Sequence, residues 1–187
     1  MYQIVMAHPD DEVIFGWPIL KEADSILMCS SDANNPNRVW CKDRNKALRE
    51  VCEALEVEFE CLNYNSEFYR LSTRDEKLKR MMYEIQNRCS KDIYTHNPWG
   101  EYGNIDHILI YQIVSSCDAN VFYCDILIES NWLPVRRHSL GIKHKKAEWD
   151  ERLYNKLKDI YIKYGCWTWN KEPVREAFIY ESYNGSR

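Results

Sequence analysis

The sequence predicts a single α/β domain, residues 1–187, with a mostly parallel sheet flanked by helices. Three observations carry this reading. The chain has 187 residues, and at about 100–200 residues per domain that argues for one. Short apolar runs alternate with segments of helical period, the pattern of strand–helix–strand crossovers. Gly and Pro number only six each, and no stretch reads as a linker, a repeat or a low-complexity tract.

The elements follow in order. Gln3–Ala7 is a short apolar run that reads as a buried strand, and Ser25–Cys29 reads as a second. Between Asp43 and Leu55 the apolar residues 47, 48, 51, 52 and 55 share one helical face. Glu58–Leu62 offers a third strand. In Thr73-Arg74-Asp75-Glu76, Thr73 is placed to cap a helix and Glu76 to bond back to it. That helix carries Leu78, Met81, Met82 and Ile85 on one stripe. Lys91–Thr95 reads as a fourth strand, and Ile105, Ile108, Leu109 and Ile113 mark the helix after it. Val121–Ile128 reads as a fifth strand. Trp149, Leu153, Leu157, Ile160 and Tyr164 mark a long helix, and Ala177–Tyr180 a last strand.

Composition excludes several classes of function. Hydrophobic residues are 45% and charged residues 29% with both signs interspersed, which excludes a disordered chain. A net charge of −4 gives no basic footprint, so no nucleic-acid partner is expected. No apolar run approaches the roughly 18 residues of a membrane span. The start, Met1 to Met6, lacks a basic region and leads into Asp10-Asp11-Glu12, unlike a signal peptide. Eight dispersed cysteines without a CxxC pair are expected as reduced core residues of a cytoplasmic protein. No glycine-rich phosphate or dinucleotide motif occurs.

Ligands of such sheets bind at loops leaving the carboxyl ends of strands. Two of these loops are dense in polar groups: Ala7-His8-Pro9-Asp10-Asp11-Glu12 after the first strand, and His96 to His107 after the fourth. The first packs an imidazole and three carboxylates into five residues. Without a cation those like charges repel one another. A divalent ion removes the cost, and His with carboxylate ligands suits zinc in a site with three protein ligands and one open position. His8 and Asp11, three apart, are near enough to share one ion, and His107 is the natural third ligand. A neighbouring acid is then free to act as base on zinc-bound water, whose pKa the metal lowers to about 7. An isolated HxxD is more often a helix cap; the pair of loops, expected at alternate sheet ends, shifts the balance.

The residues Ala-His-Pro-Asp-Asp-Glu at 7–12, with Gly16, resemble the signature of the PIG-L (LmbE-like) de-N-acetylases. Pro-Trp-Gly-Glu-Tyr-Gly-Asn-Ile-Asp-His at 98–107 is similar to that family's second motif, and Glu176-Ala177-Phe178 to its closing segment. The resemblance implies a Rossmann-like sheet and a zinc-dependent hydrolase, one zinc per chain, that removes an N-acyl group, usually acetyl, from a small-molecule amino sugar or sugar conjugate. Carried over by position, it makes His8, Asp11 and His107 the zinc ligands and Asp10 the general base. Tyr102 becomes the oxyanion donor, Asp106 the acid that tunes an imidazole, and Arg44 a substrate contact. The family usually has histidine where this chain has Asn104, and asparagine can donate a hydrogen bond but cannot deliver a proton. Ala47 and Glu56 also depart from the pattern. Two alternatives therefore stay open: a metal-containing domain that binds its ligand with weak or lost catalysis, and an amide hydrolase acting on a non-sugar acylated small molecule such as a modified nucleoside.

Other features carry less. Arg136, Arg137 and Lys143-His144-Lys145-Lys146 form a basic patch, read as the solvated start of a helix more readily than as a phosphate site. His138 and His144 read as surface residues, and His96 as part of the outer shell of the site. Trp99 and Trp132, in loops at strand ends, offer faces for a sugar ring, whereas Trp149, Trp167 and Trp169 read as core.

Overall fold

In the computed structural model, which describes residues 1–70, 75–128 and 141–183, alternate residues of the central strands feed two separate cores. Ile4, Met6, Ile26, Met28 and Tyr94 face one side. Val5, Ala7, Leu27, Cys29 and Ile93 face the other. The strands are β1 (Tyr2–Met6), β2 (Ala23–Ser30), β3 (Glu58–Tyr64), β4 (Asp92–Thr95), β5 (Asn120–Cys124), β6 (Gly141–Lys146) and β7 (Phe178–Ser182). They form one sheet in the order β3-β2-β1-β4-β5-β7-β6. The first five are parallel, as expected of near-continuous apolar runs buried on both faces. β7 runs antiparallel to β5 and to β6.

The helices are α1 (Asp11–Ile14), α2 (Arg44–Leu55), α3 (Glu76–Gln86), α4 (Gly100–Gly103), α5 (Ile105–Ser115) and α6 (Glu151–Lys163). Leu48 and Val51 of α2 and Leu157 and Tyr161 of α6 close one core. Leu78, Met81 and Ile85 of α3, with Ile110, Ile113 and Val114 of α5, close the other. Each fully buried aliphatic side chain here contributes about 1.5–3 kcal/mol. No helix among the described residues is long and apolar enough to cross a membrane.

Several expectations are corrected. Asp75, not Thr73, caps α3, its carboxylate accepting from Lys77 N at 2.8 Å; residues 71–74 lie outside the described residues. In α5 the buried stripe is Ile110, Ile113 and Val114, while Ile105 is 51% exposed. That helix is apolar almost all round, so its period does not say which side faces in. The fifth apolar run stops pairing as a strand at Cys124 because its next residues hold the loop after β4 instead: Asn97 Nδ2 donates to Ile126 O at 2.7 Å, and Ile128 N to Glu101 O at 2.9 Å. The basic patch at 143–146 is no helix start but the edge strand β6, with Lys145 paired to Glu22 and Lys143 over the Phe178 ring. Trp132 and His138 fall outside the described residues. The two polar loops do not leave at alternate sheet ends. β1 and β4 are parallel neighbours, so both loops emerge side by side at their carboxyl ends. The order 3-2-1-4-5 reverses between these two strands, which opens a crevice there.

Two contacts fix the loops around that crevice. Gly16 lies so close under Glu12 that a Cβ on it would stand 2.5 Å from the Glu12 carbonyl oxygen. Asp32, after β2, binds the loop after β3. Its carboxylate accepts from Ser66 N at 2.9 Å, Ser66 Oγ at 2.5 Å, Asn35 Nδ2 at 3.2 Å and Arg38 Nη1 at 3.1 Å. Burial opposes the charge, but these partners hold the Asp32 carboxyl below its usual value.

Two outcomes follow. Gly16→Ala should lose about 1–3 kcal/mol by overpacking, lowering Tm by about 2–4 °C per kcal/mol in a domain of this size. An unchanged Tm would mean that the turn relaxes freely. For Asp32, a depressed folded pKa gives stability that is present above the unfolded value near 3.8 and lost as pH falls through the folded one. Asp32→Asn should thus be about 1–2 kcal/mol less stable than the parent at pH 7, with the gap narrowing below about pH 4. Urea unfolding at both pH values reads this, and a pH-independent gap would show that the carboxylate's charge is not what holds the two loops.

Candidate metal centre

The loop after β1 turns sharply at Asp10, whose φ of 94° is left-handed. For a non-glycine residue this conformation costs of order 1–3 kcal/mol and needs support. Asp10 N donates to Glu12 Oε2 at 3.0 Å, and Tyr161 of α6 donates to Glu12 Oε1 at 2.5 Å. The Asp10 carboxylate accepts from Thr168 N at 3.1 Å and Thr168 Oγ1 at 2.6 Å, and pairs with Arg44 Nη2 at 3.5 Å. Burial pushes Asp10 up to about 6, with Arg44 opposing, Asp11 adding to the rise and Thr168 restraining it. Burial likewise pushes Glu12 up to about 8.

The loop after β4 is organised by two buried side chains. Asn97 Oδ1 accepts from Trp99 N at 3.1 Å and Glu101 N at 3.0 Å. Glu101, at a left-handed φ of 55°, accepts from Asn97 N at 3.0 Å on Oε1. Its Oε2 lies 2.6 Å from His107 Nδ1 and 3.2 Å from His96 Nδ1. Burial opposes its charge, yet His96 and His107 hold Glu101 down to about 2. Ala7 N donates to His96 Nε2 at 2.9 Å. Glu101 and Asp11 draw His96 up to about 9 against the effect of burial. The amide aimed at Nε2 nevertheless requires a lone pair there, which fixes the ring as the neutral Nδ1–H form.

Three donor atoms converge between the loops. His8 Nδ1 is 3.1 Å from Asp11 Oδ2 and 3.3 Å from His107 Nε2, and Asp11 Oδ2 is 3.3 Å from His107 Nε2. Ligand atoms at about 2.0–2.1 Å around a tetrahedral zinc stand about 3.3 Å apart, so the triangle has the size of one face of such a site. Both rings present the right nitrogen. His107 Nδ1 faces Glu101 Oε2 at 2.6 Å, so Nε2 is the nitrogen turned to the other two donors. His8 Nε2 faces Asp106 Oδ2 at 3.2 Å, so Nδ1 is the nitrogen turned to the other two donors. A carboxylate behind each ligating imidazole is the outer support that metal-binding histidines need. Burial would depress His8, but Asp106 and Asp11 hold it up to about 9, and a cation held between the donors would take that proton's place. His107 and His8 hold Asp11 well below its usual value despite its burial. His96, Glu101 and His107 also cluster, but Glu101 is saturated by protein donors and His96 Nε2 by an amide. They buttress the centre.

Tyr102 and Asn104 form a second unit. Asn104 caps α5, Oδ1 accepting from Asp106 N at 2.9 Å, while its Nδ2 donates to Tyr102 Oη at 2.9 Å. The phenol oxygen is thereby an acceptor, and its own hydrogen remains for another partner. Burial pushes the Tyr102 phenol well above its ordinary value, which keeps that hydrogen on.

His8, Asp10, Asp11, Arg44, Tyr102, Asn104 and Asp106 line a cleft of about 380 Å³ with Arg38, Trp40, Ser66, Glu67 and Thr168. His107, fully buried, lies behind this lining with Nε2 3.3 Å from His8 Nδ1 and 3.3 Å from Asp11 Oδ2, so the three expected donors meet at the cleft wall. Arg44 is buried beneath Trp40, 4.9 Å from its ring, with one arm on Asp10. Trp99 does not reach the cleft; it packs edge-on against Tyr123. Trp40, 46% exposed, supplies the aromatic face instead. Sequence reasoning assigned no role to Glu101, Thr168 and Trp40. Glu101 lies inside the second motif, but its reach back to His107 depends on a left-handed backbone that no pattern announces. Thr168 and Asp10 are 158 residues apart.

A family model described as PIG-L, GlcNAc-PI de-N-acetylase, matches residues 3–117. No curated protein matches the sequence. N,N'-diacetylchitobiose deacetylase from Pyrococcus horikoshii superposes with a TM-score of 0.58 at 13% identity, over 89% of this chain and 70% of its own. A deacetylase of teicoplanin biosynthesis, solved with teicoplanin, gives 0.60 at 11%, over 98% and 100%. The 4-carboxy-2-hydroxymuconate hydratase of Pseudomonas putida KT2440 gives 0.55 at 12%, over 97% and 95%. At these identities the solved structures share the fold. The family match covers more than half of the chain and includes both polar loops and all three converging donors, and on it the chain belongs to the PIG-L family of GlcNAc-PI de-N-acetylases.

Proposed function

We propose that this chain is a zinc-dependent N-deacetylase that hydrolyses the N-acetyl amide of an amino sugar or sugar conjugate. The observation that carries the reading is the triangle of His8 Nδ1, Asp11 Oδ2 and His107 Nε2, with sides of 3.1–3.3 Å and a carboxylate behind each imidazole. When bound, a divalent ion supplies Lewis-acid polarisation and an acidified water. The remaining roles belong to the chain. Asp10, poised near 6, takes a proton from the attacking water and returns it to the departing amine nitrogen. With asparagine at 104, one carboxyl serves both transfers. Tyr102 donates to the oxygen of the former amide carbonyl as charge gathers on it. The products are acetate and the free amine.

The cleft supports a sugar ligand. Trp40 offers a face for ring C–H groups, and beyond Ser66 and Glu67 a groove of about 560 Å³ is lined by Asn34, Asn35, Asn37, Asn63 and Asn65. Amide side chains donate and accept, as hydroxyl-rich ligands require. A hydratase shares the fold, so the reading rests on the centre and not on the architecture.

Purified protein should contain zinc near one per chain and release acetate from N-acetylglucosamine conjugates, with activity lost to a chelator and restored by zinc. His107→Ala should lose the metal. Asp10→Asn should keep it and lose about 10²–10⁴-fold in kcat. A fully loaded protein that binds such sugars and releases no acetate would establish the binding domain instead, and turnover confined to non-sugar amides would establish the other hydrolase.

Asn104 is a sharper test. Aspartate caps helices as well as asparagine does, so Asn104→Asp should leave Tm and metal content unchanged. It replaces the amide donor to Tyr102 by an acceptor, which captures the phenol hydrogen. The rate should fall toward that of Tyr102→Phe, about 10²–10³-fold for one oxyanion donor. Unchanged kcat in both variants would remove Tyr102 from the reaction.

A further inference from the structure

We infer that Cys89 and Cys117 are a site of oxidative modification, closing to an intramolecular disulfide when the protein meets a peroxide. The two sulfurs share a thiol hydrogen bond at 2.9 Å. A disulfide needs about 2.05 Å, so closure asks for less than about 1 Å of combined sulfur movement.

The sheet holds the pair in place. β4 and β5 are parallel neighbours in the register Asp92↔Asn120. Cys89 stands three residues before Asp92 and Cys117 three before Asn120, so the ladder carries both cysteines to the same height below the sheet. Asn120 N donates to Lys91 O at 2.8 Å and Asn120 Nδ2 to Asp92 Oδ1 at 2.7 Å, binding the two approaches together. Gln86 Nε2, at the end of α3, donates to Ser116 Oγ, just past α5, at 2.9 Å. The pair is thus framed on both sides by bonds that do not involve sulfur.

Access distinguishes these cysteines from most of the rest. Cys29, Cys41, Cys52, Cys124 and Cys166 are buried, whereas Cys61, Cys89 and Cys117 are only partly so. Cys61 directs its thiol to Ser30 O at 3.8 Å. Sharing one thiol hydrogen between the sulfurs holds Cys117 below its usual value and raises Cys89, which favours Cys117 as the attacking sulfur. The Cys117 thiolate attacks a peroxide oxygen, giving a sulfenic acid and hydroxide. The Cys89 sulfur then displaces the sulfenic oxygen, forming the S–S bond. The two thiols together lose two electrons and two protons, and hydrogen peroxide becomes two molecules of water.

The test uses the full chain, reduced and then treated with hydrogen peroxide under native conditions. Differential alkylation with peptide mapping should show Cys89 and Cys117 protected together, joined in one linked peptide that dithiothreitol separates. The oxidised form should melt several degrees higher, as closure of a loop of this length implies. In Cys89→Ser no intramolecular link should form, and dimedone should trap a sulfenic acid at Cys117. Full alkylation of both cysteines after peroxide would overturn the inference in the parent protein, whatever the variant's folding. So would a linked peptide that joins either of them to a different cysteine.

Discussion

Three consecutive carboxylates are buried at the end of β1, and the rest of the fold is arranged to make that tolerable. Asp10 is 1% exposed, Asp11 4% and Glu12 0%. Left unpaired, each would carry a desolvation cost of several kcal/mol. Each finds a different remedy from a different part of the chain. Asp10 takes Arg44 from α2 and Thr168 from the segment after α6. Asp11 takes His8 and, from α5, His107. Glu12 takes the Tyr161 hydroxyl from α6 and is the one most readily protonated. The helices on both faces of the sheet are therefore tied to one turn of six residues.

That dependence explains why strained backbone collects here. Asp10 and Glu101 both have left-handed φ values, one in each loop. Each is held by buried hydrogen bonds to its own neighbours, through Glu12 in the first loop and Asn97 in the second. The strain aims side chains where regular helix or strand would not. Glu101 is turned back to His107 and His96, and Asp10 is turned toward Arg44 and Thr168. Because β1 and β4 lie side by side, two short loops suffice to bring this about.

The α/β class, the five parallel strands and the three converging donors were legible in the sequence, because each rests on local signals: apolar runs, helical period and a dense polar motif after a strand. Register and long-range partners were not. The stripe on α5 was misplaced because Ile105, Ile108, Leu109 and Ile110 are apolar on every side of that helix. β6 was missed because an edge strand facing solvent is free to be lysine-rich, and lysine there guards against pairing with another chain. Trp99 and Trp40 have the same composition signal; only the path of the chain decides that one packs on Tyr123 and the other lines the cleft.

Asn104 shows how a departure from a motif can be read from its contacts. Taken as a lost proton donor, it argues against catalysis. In the fold its side chain is occupied at both ends, by the α5 cap and by the Tyr102 oxygen. It therefore bears on the phenol's orientation, and in the proposed reaction both proton transfers fall to Asp10. A single carboxyl serves as base and then acid most effectively when its pKa lies near the working pH. Burial raises Asp10 toward that range, while Arg44 and Thr168 keep it from rising as far as Glu12. These two carboxyls, two residues apart, differ because one has a guanidinium beside it and the other a phenol. In the proposed reaction the neighbours of Asp10 would thus keep its carboxyl in the range where one group can serve both transfers.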